Sequence, residues 1–390
     1  MTNSFDAIVV GAGVVGASCA HYLVEAGLSV AVVDRGSVAA GTTGAGEGNI
    51  LVSDKEPGPE LDLALLSQRL WTELIDVIGP AIELEPKGGL AVGYEQHTFD
   101  HLRAFATEQA ACGVVATPVT GADLLELEPN LNPEVAGGVF YPQDMQTQPM
   151  LAAAHLIARG VRMGRITLHT NANVVAIPRD ARGAVTGVET TTQTLQAPLV
   201  VNAAGTWGGE IAALAGVNVP ILPRRGFILV TEPLPVIVNR KVYSAEYVAN
   251  VASDDAALQT AAVVEGTHSG TILIGASRER VGFDRTLDWT VVQRLAQQAL
   301  QLFPRLAQAS LLRTYGGFRP YCPDHLPVIG PDARVPGLMH ACGHEGAGVG
   351  LSAATGFLIA QAAIGVSPLL SLAPFAAERF DAHHVAVVHA

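Results

Sequence analysis

Positive charge is scarce in this chain and never gathers. There are 23 Lys and Arg against 36 Asp and Glu, a formal net charge of −13, and no basic run relieves the deficit. Binding nucleic acid needs clustered Lys and Arg to neutralise phosphates, so the balance argues against that partner. The acidity reads instead as the solvated surface of a soluble cytoplasmic protein. Charge of either sign is low, at 15% of residues, while 49% are hydrophobic. Such a composition buries a sizeable core and excludes disorder. Cysteine is nearly absent. Cys19, Cys112, Cys322 and Cys342 lie far apart and form no CxxC pair, so no zinc site, iron–sulfur motif or disulfide framework is expected. The N-terminus is apolar from Ala7, but no basic segment precedes it and His21 and Glu25 interrupt it. A signal peptide or membrane span is therefore disfavoured. Repeats, low-complexity linkers and a single dividing boundary are also missing, and 390 residues then read as two interleaved domains.

What is present begins with "FDAIVVGAGVVGASCAHYLVEAGLSVAVVDRG". Ala7 to Val10 form a short apolar run without alternation, which reads as a buried strand. Val14 to Ala26 read as a helix stopped at Gly27, and Ser29 to Val33 as a second strand. This is a βαβ unit of about thirty residues. Gly11-Ala12-Gly13-Val14-Val15-Gly16 stands between strand and helix as G-x-G-x-x-G: one glycine for the tight turn, one for backbone approach to a pyrophosphate, one for helix–strand packing. Phosphate then faces the free N–H groups of the helix N-terminus. Asp34 ends the second strand, where an acid can accept hydrogen bonds from a ribose diol. The unit binds a dinucleotide.

An NAD domain would continue with another βα repeat, but this chain enters "RGSVAAGTTGAGEGNI". FAD is longer, and its flavin must be led away from the phosphate turn. A second glycine-rich segment bearing Thr42 and Thr43 suits that path; the alternative is a flexible surface loop. "VVNAAGTWGGEIAALAG" presents Gly205 after another apolar strand. "GHEGAGVGLSAATG" enters a helix through Gly343, Gly346, Gly348 and Gly350, and a helix N-terminus stabilises the negative charge of reduced flavin. Further along, "VYSAEYVANVA" and "AAVVEGTHSGTILIGAS" read as strands and "LDWTVVQRLAQQALQLFPRL" as a helix. Leu61, Leu65, Leu66 and Leu70 read as a core stripe.

The ordered set "VVGAGVVGASCAHYL…VVDRG", "VVNAAGTWGGEI" and "GGFRPYCPDHLPVIGP…HACGHEGAGVGLSAATG" resembles the FAD-dependent D-amino-acid oxidase family, the glycine and sarcosine oxidase group. Within it, "AGEGNILVSD", "PRRGFILVTEP" and "IGASRERVGFD" look most like flavin β subunits of hydrogen cyanide synthase, opine oxidase and D-hydroxyproline or proline dehydrogenase. The resemblance implies a Rossmann-like α/β FAD domain from 1–80, 142–218 and 314–367. Interleaved with it is an α+β, mixed-sheet substrate domain from 81–141 and 219–313, with 368–390 as a tail. It carries cofactor contacts onto Gly11 to Gly16, Asp34, Arg35, Thr42, Thr43, Ala45, Gly46, Gly48 and Asn49. Further contacts are implied at Val174, Ala204, Gly205, Trp207, Gly343, His344, Gly346, Ala347, Gly348 and Val349. The flavin-linking cysteine of monomeric sarcosine oxidases falls near Gly317, and Cys322 does not match it, which implies noncovalent FAD.

Oxidising a C–N bond needs placement more than acid–base equipment, while the flavin carries the difficult step. An amino-acid substrate needs its carboxylate held, and Arg319 in "GGFRP" is the candidate, since a guanidinium binds carboxylate in bidentate fashion; the resemblance implies the same role. The segment "GHEGAG" lacks an arginine that glycine oxidase-like members carry. "TAAVVEGTHSG" also lacks their tyrosine, although Tyr243 and Tyr247, one strand earlier, could reach in. Glu47 and Asn49 are either substrate or flavin contacts or simply loop polarity. His344 is either a flavin-side partner or a buried, satisfied histidine, and Glu265 and His268 read as solvated. The expected activity is oxidation of an amino acid, imino acid or opine. Electrons would pass to partner subunits (ferredoxin-like and a second flavoprotein) or, alternatively, to oxygen in a stand-alone oxidase yielding peroxide; a flavin-binding scaffold without turnover is the remaining alternative.

Overall fold

The computed structural model describes residues 4–251 and 255–381. Its first layer is a six-stranded sheet in the order Val328–Pro331, Leu338–Cys342, Val200–Asn202, Ala7–Val10, Val30–Val33, Ile166–His169. All neighbours are parallel except the first pair, which is antiparallel at one edge. The apolar runs read as strands are central here, and every residue of Ala7–Val10 and Val30–Val33 is buried. Ala7 and Val9 face one core and Ile8 and Val10 another, as a strand covered on both sides requires.

The helix Val14–Glu25 covers one face and packs against Gly348–Ala363 and Pro149–Arg162. A Cβ on Gly356 would lie 2.5 Å from the Ser18 carbonyl carbon, so glycine sets the closeness of the first crossing. Over Glu345–Ala363 the chain is long and apolar enough to cross a membrane by length and composition. Ten residues of Gly348–Ala363 are nevertheless buried among the helices around them, which accounts for the hydropathy by core packing.

The second layer is an eight-stranded sheet in the order Leu311–Tyr321, Leu222–Thr231, Ile272–Arg278, Gln259–Gly266, Lys241–Ser244, Gly89–Gly93, Gly137–Tyr141, Thr117–Val119. It is antiparallel except where Lys241–Ser244 runs parallel to Gly89–Gly93. The helix Trp289–Leu302 closes a separate core beneath it. Asp288 caps that helix by accepting from the Thr290 and Val291 amides, an arrangement worth about 1 kcal/mol, and Val291, Val292, Leu295, Ala299 and Leu302 make its buried stripe.

One expected strand is corrected. Within "VYSAEYVANVA", whose Ala252 lies outside the described residues, the strand Lys241–Ser244 covers the first three positions and Ala245–Val251 turns into a helix. The ladder to Gly89–Gly93 ends with Ser244 opposite Val92, and the helix-forming Ala245 and Glu246 follow. Tyr247 is thus presented from a helix, while Tyr243 stays in the strand, wholly buried. Of the leucine stripe, Leu61, Leu66 and Leu70 are buried and Leu65 packs half-buried against them.

Candidate active site

The G-x-G-x-x-G turn is built by contact. Gly11 has φ +116°, and a Cβ there would lie 2.3 Å from the Ala203 carbonyl oxygen. A Cβ on Gly16 would lie 1.9 Å from the Gly11 oxygen, so the third glycine serves helix–strand packing. Asp34 braces the turn: Oδ2 accepts from the Ala12 amide at 2.7 Å and Oδ1 from Gly36 at 2.7 Å. The second glycine-rich segment closes on the first, because the Val14 amide donates to Thr43 Oγ1 at 3.0 Å. Thr42 Oγ1 donates to the Phe318 carbonyl at 2.7 Å, which ties this segment to the eight-stranded sheet.

These pieces enclose a cavity of about 860 Å³. Among the expected residues, its wall takes Gly11, Gly13, Val14, Val15, Asp34, Arg35, Thr42, Thr43, Ala45, Gly46, Asn49 and Val174. Ala204, Gly205, Trp207, His344, Gly346, Gly348 and Val349 continue it, and Glu47, Tyr247 and Arg319 join them. Five expected contacts stand behind the wall instead. Ala12 is buried under Asp34, and Gly16 packs on Gly11. Gly48 lies against Thr147, whose oxygen would be 1.8 Å from an added Cβ. Gly343 has φ +78° and abuts Ile221, and Ala347 faces a neighbouring cavity.

At the Asp34 end, the Arg35 guanidinium lies 3.8 Å from the Trp207 ring centroid. Trp207 is stacked on Phe283 at 5.5 Å and 8°. At the other end, Arg319 comes from Leu311–Tyr321 and its Nη1 donates to the Ser277 carbonyl at 2.8 Å. Burial, and then the positive charge of Arg278, pull its guanidinium down to about 10. Arg278 is 5% exposed and lies over the Tyr247 ring at 5.0 Å. Among the described residues neither arginine forms an ion pair with a carboxylate. A second cavity of about 790 Å³ meets the first at Tyr247, Arg319, Glu345 and Gly346. Arg278 lines it, as does the buried ion pair of Lys55 with Asp54 at 2.6 Å.

His344 is 3% exposed, and burial pushes its imidazole down to about 3, so the ring is neutral at physiological pH. Thr355 Oγ1 donates to the Leu351 carbonyl and lies 2.9 Å from His344 Nε2. With the hydroxyl hydrogen so directed, Nε2 is the donor and Nδ1 carries the lone pair. Glu265 is corrected: it is 2% exposed and pairs with Lys241, while His268 is exposed. The apolar composition of its strand, with Val263 and Val264 inside, draws Glu265 in, and Lys241 neutralises it. Arg278, Lys241 and Gly226 are the residues that sequence reasoning passed over. A Cβ on Gly226 would lie 2.1 Å from Arg319 Nη1, and a glycine in mid-strand is the signal that announces such an approach.

Residues 6–362 match the family described as DAO, FAD dependent oxidoreductase. The chain belongs to this family. Its relatives include hydrogen cyanide synthase subunit HcnC of Pseudomonas aeruginosa, 30% identical over 99% of each chain. Glycine oxidase of Geobacillus kaustophilus is 29% identical over 97% of this chain and 98% of its own. The crystal structure of glycine oxidase from that organism superposes with a TM-score of 0.87 at 26% identity, covering 96% of this chain and 99% of the other. L-proline dehydrogenase from P. horikoshii shares the fold, with a TM-score of 0.88 at 22% identity over 98% and 99% of the two chains.

The residues of this FAD-dependent oxidoreductase fit its cofactor. Some wall glycines answer to protein packing, as Gly11 does, but others do not. At Gly41, Gly46, Gly346 and Gly348 an added Cβ would meet no protein atom closer than 3.5 Å, and φ is not positive. Neither the backbone nor neighbouring atoms require these positions to be bare. A side chain there would occupy the cavity, which is the property expected of a wall held open for a long ligand.

Proposed function

We propose that the chain oxidises the C–N bond of an amino acid, imino acid or opine, with substrate bound where the two cavities meet. The six-stranded-sheet unit, with Gly11 to Val15, Asp34, Arg35, Thr42, Thr43 and Gly205, would hold FAD without a covalent link, and no cysteine lines the cavity. The eight-stranded-sheet unit would form the substrate domain, with the strand Leu311–Tyr321 passing between the two. When bound, FAD supplies a two-electron acceptor for hydride from the carbon bearing nitrogen.

The observation that carries this reading is the pair Arg319 and Arg278: Arg319 lines both cavities, buried Arg278 lines the second, and among the described residues neither has a carboxylate within ion-pair distance. Buried charge is costly unless paired, and a substrate carboxylate supplies the missing partner in bidentate geometry. Ser277 O fixes Arg319 from one side and Gly226 leaves it room. Tyr247 carries Arg278 on its ring face, and burial raises its phenol above the ordinary value, so its hydroxyl stays protonated and able to donate. Neutral His344 adds no charge that would compete with the guanidinium groups. Hydrolysis of the imine product would follow in water where the product permits.

The likeness to an HcnC subunit favours electron transfer to partner subunits, a ferredoxin-like protein and a second flavoprotein, in the cytoplasm, where the four free cysteines would stay reduced. The likeness to glycine oxidase favours a second reading, direct oxidation by oxygen. Anaerobic mixing of the yellow holoenzyme with glycine, sarcosine, D- and L-proline, hydroxyproline and opines tests the activity. Bleaching by one of them supports it, and a flavin that none reduces overturns it. Rapid peroxide release by the lone chain would select the second reading.

A further inference from the structure

Behind the cavity wall lies a buried charge cluster with no role in the proposed substrate binding, of which Glu47 and Asn49 reach the wall itself. Lys241 reaches from the strand Lys241–Ser244 to Glu265 on the neighbouring strand and to the Asn49 side-chain oxygen. Glu47 joins from the glycine-rich segment: its Oε2 accepts from Asn49 Nδ2 at 3.1 Å and lies 3.7 Å from Lys241 Nζ. The side chains of Lys241, Glu265 and Glu47 are 2%, 2% and 5% exposed. One ammonium thus faces two carboxylates. Glu265 takes the close contact, and Glu47 remains the buried anion without a counter-ion of its own. Glu47 Oε1 has no hydrogen-bond partner and is covered by Gly275, where an added Cβ would lie 2.4 Å from it, while the residue forms part of the cavity wall that also carries Arg319.

We propose that Glu47 is the proton acceptor for the substrate nitrogen, with Lys241 and Glu265 setting its basicity. This rests on the proposed C–N oxidation. An amino acid arrives as an ammonium ion, whose nitrogen has no lone pair to assist hydride loss from the adjacent carbon. One N–H bond breaks, its proton forms an O–H bond on the Glu47 carboxylate, and the electron pair stays on nitrogen, leaving a neutral amine. The carboxylate remains with Arg319 and Arg278, so the two ends of the zwitterion are held by opposite charges. Hydride then leaves to the acceptor that the family's cofactor provides.

The groups facing Glu47 come from several elements. Lys241 and Arg319 favour its anion, while Glu265, Tyr247 and Tyr315 surround it without adding positive charge. Burial dominates and the carboxyl is raised above its usual range, which makes it a stronger base than an exposed carboxylate.

The test is the pH dependence of anaerobic flavin reduction by whichever of glycine, sarcosine or D- or L-proline bleaches the wild-type holoenzyme, set beside infrared titration of the substrate-free holoenzyme. Wild type should show an acid limb and a protonated-carboxyl band that grows as pH falls. Glu47→Gln should lose both, slow reduction at pH 7 by about 10²-fold or more, and recover about tenfold per pH unit as free amine accumulates in solution. Glu265→Gln should move the limb to lower pH, because it removes a like charge and frees Lys241 for Glu47. An E47Q enzyme that keeps the wild-type limb, or is slowed equally at every pH, overturns the proton role, as does an unmoved limb in E265Q. A wild-type enzyme bleached by no amino acid overturns the activity itself, a different result.

Discussion

Replacing Arg319 by methionine separates function from stability. The guanidinium sits at about 10 against an ordinary 12.5, a gap equivalent to about 3 kcal/mol spent keeping it charged beside Arg278. Methionine removes that cost and fills much of the same volume. It also forfeits the hydrogen bond to the Ser277 carbonyl, worth about 1.5–3 kcal/mol for a charged donor. The difference leaves a stabilisation of about 1 kcal/mol in the FAD-loaded, substrate-free protein. Differential scanning calorimetry of R319M should therefore show a Tm equal to wild type or a degree or two higher. Substrate binding moves the other way: losing a desolvated carboxylate partner costs about 2–5 kcal/mol, so KM should rise by about 30-fold or more while the flavin spectrum is unchanged. A Tm lowered by several degrees with KM intact would refute the reasoning and make Arg319 a structural strut for Ser277.

The wall glycines divide by mutation: Gly46→Val should lower flavin content per chain with circular dichroism unchanged, whereas Gly48→Ala should destabilise the fold by about 1–3 kcal/mol through collision with Thr147, read by urea unfolding. His344 and His21, held down to about 3 and about 4 by burial, are neutral when folded and protonate at about 6.5 when unfolded. Their contribution is intact above about pH 6.5 and lost as pH falls toward those values, and each steepens the loss by up to about 1.4 kcal/mol per pH unit. Unfolding of His344→Asn measured between pH 7 and 4 should be flatter than wild type by about one proton.

The Asp34 end of the cavity was legible because packing and the proposed cofactor ask for the same residues there. G-x-G-x-x-G, Asp34 and the two threonines are local in sequence, and each glycine has a neighbour that explains it or a cavity that needs it. At the other end of the cavity only Arg319 stood out in the sequence. Arg278 looks like any charge at the end of a strand, and Lys241 and Glu265 become meaningful only when register sets neighbouring strands together (Val242 opposite Val264). Glu265 also shows where local reasoning inverts: a carboxylate beside a turn is ordinarily solvated, but here the Lys241 ammonium on the neighbouring strand changes the balance. The helix at Ala245–Val251 was missed because its seven residues follow a strand without a glycine or proline to mark the change.

The cavity draws its wall from Val10 through Val349, in separate groups within 10–49, 172–228, 247–285 and 317–349. With FAD seated there as proposed, no nascent chain could hold the cofactor until synthesis is almost finished, and no proteolytic half could keep it. Once seated, the ligand ties the earliest and latest strands into one cooperative body. Its occupancy and the persistence of the native fold then rise and fall together.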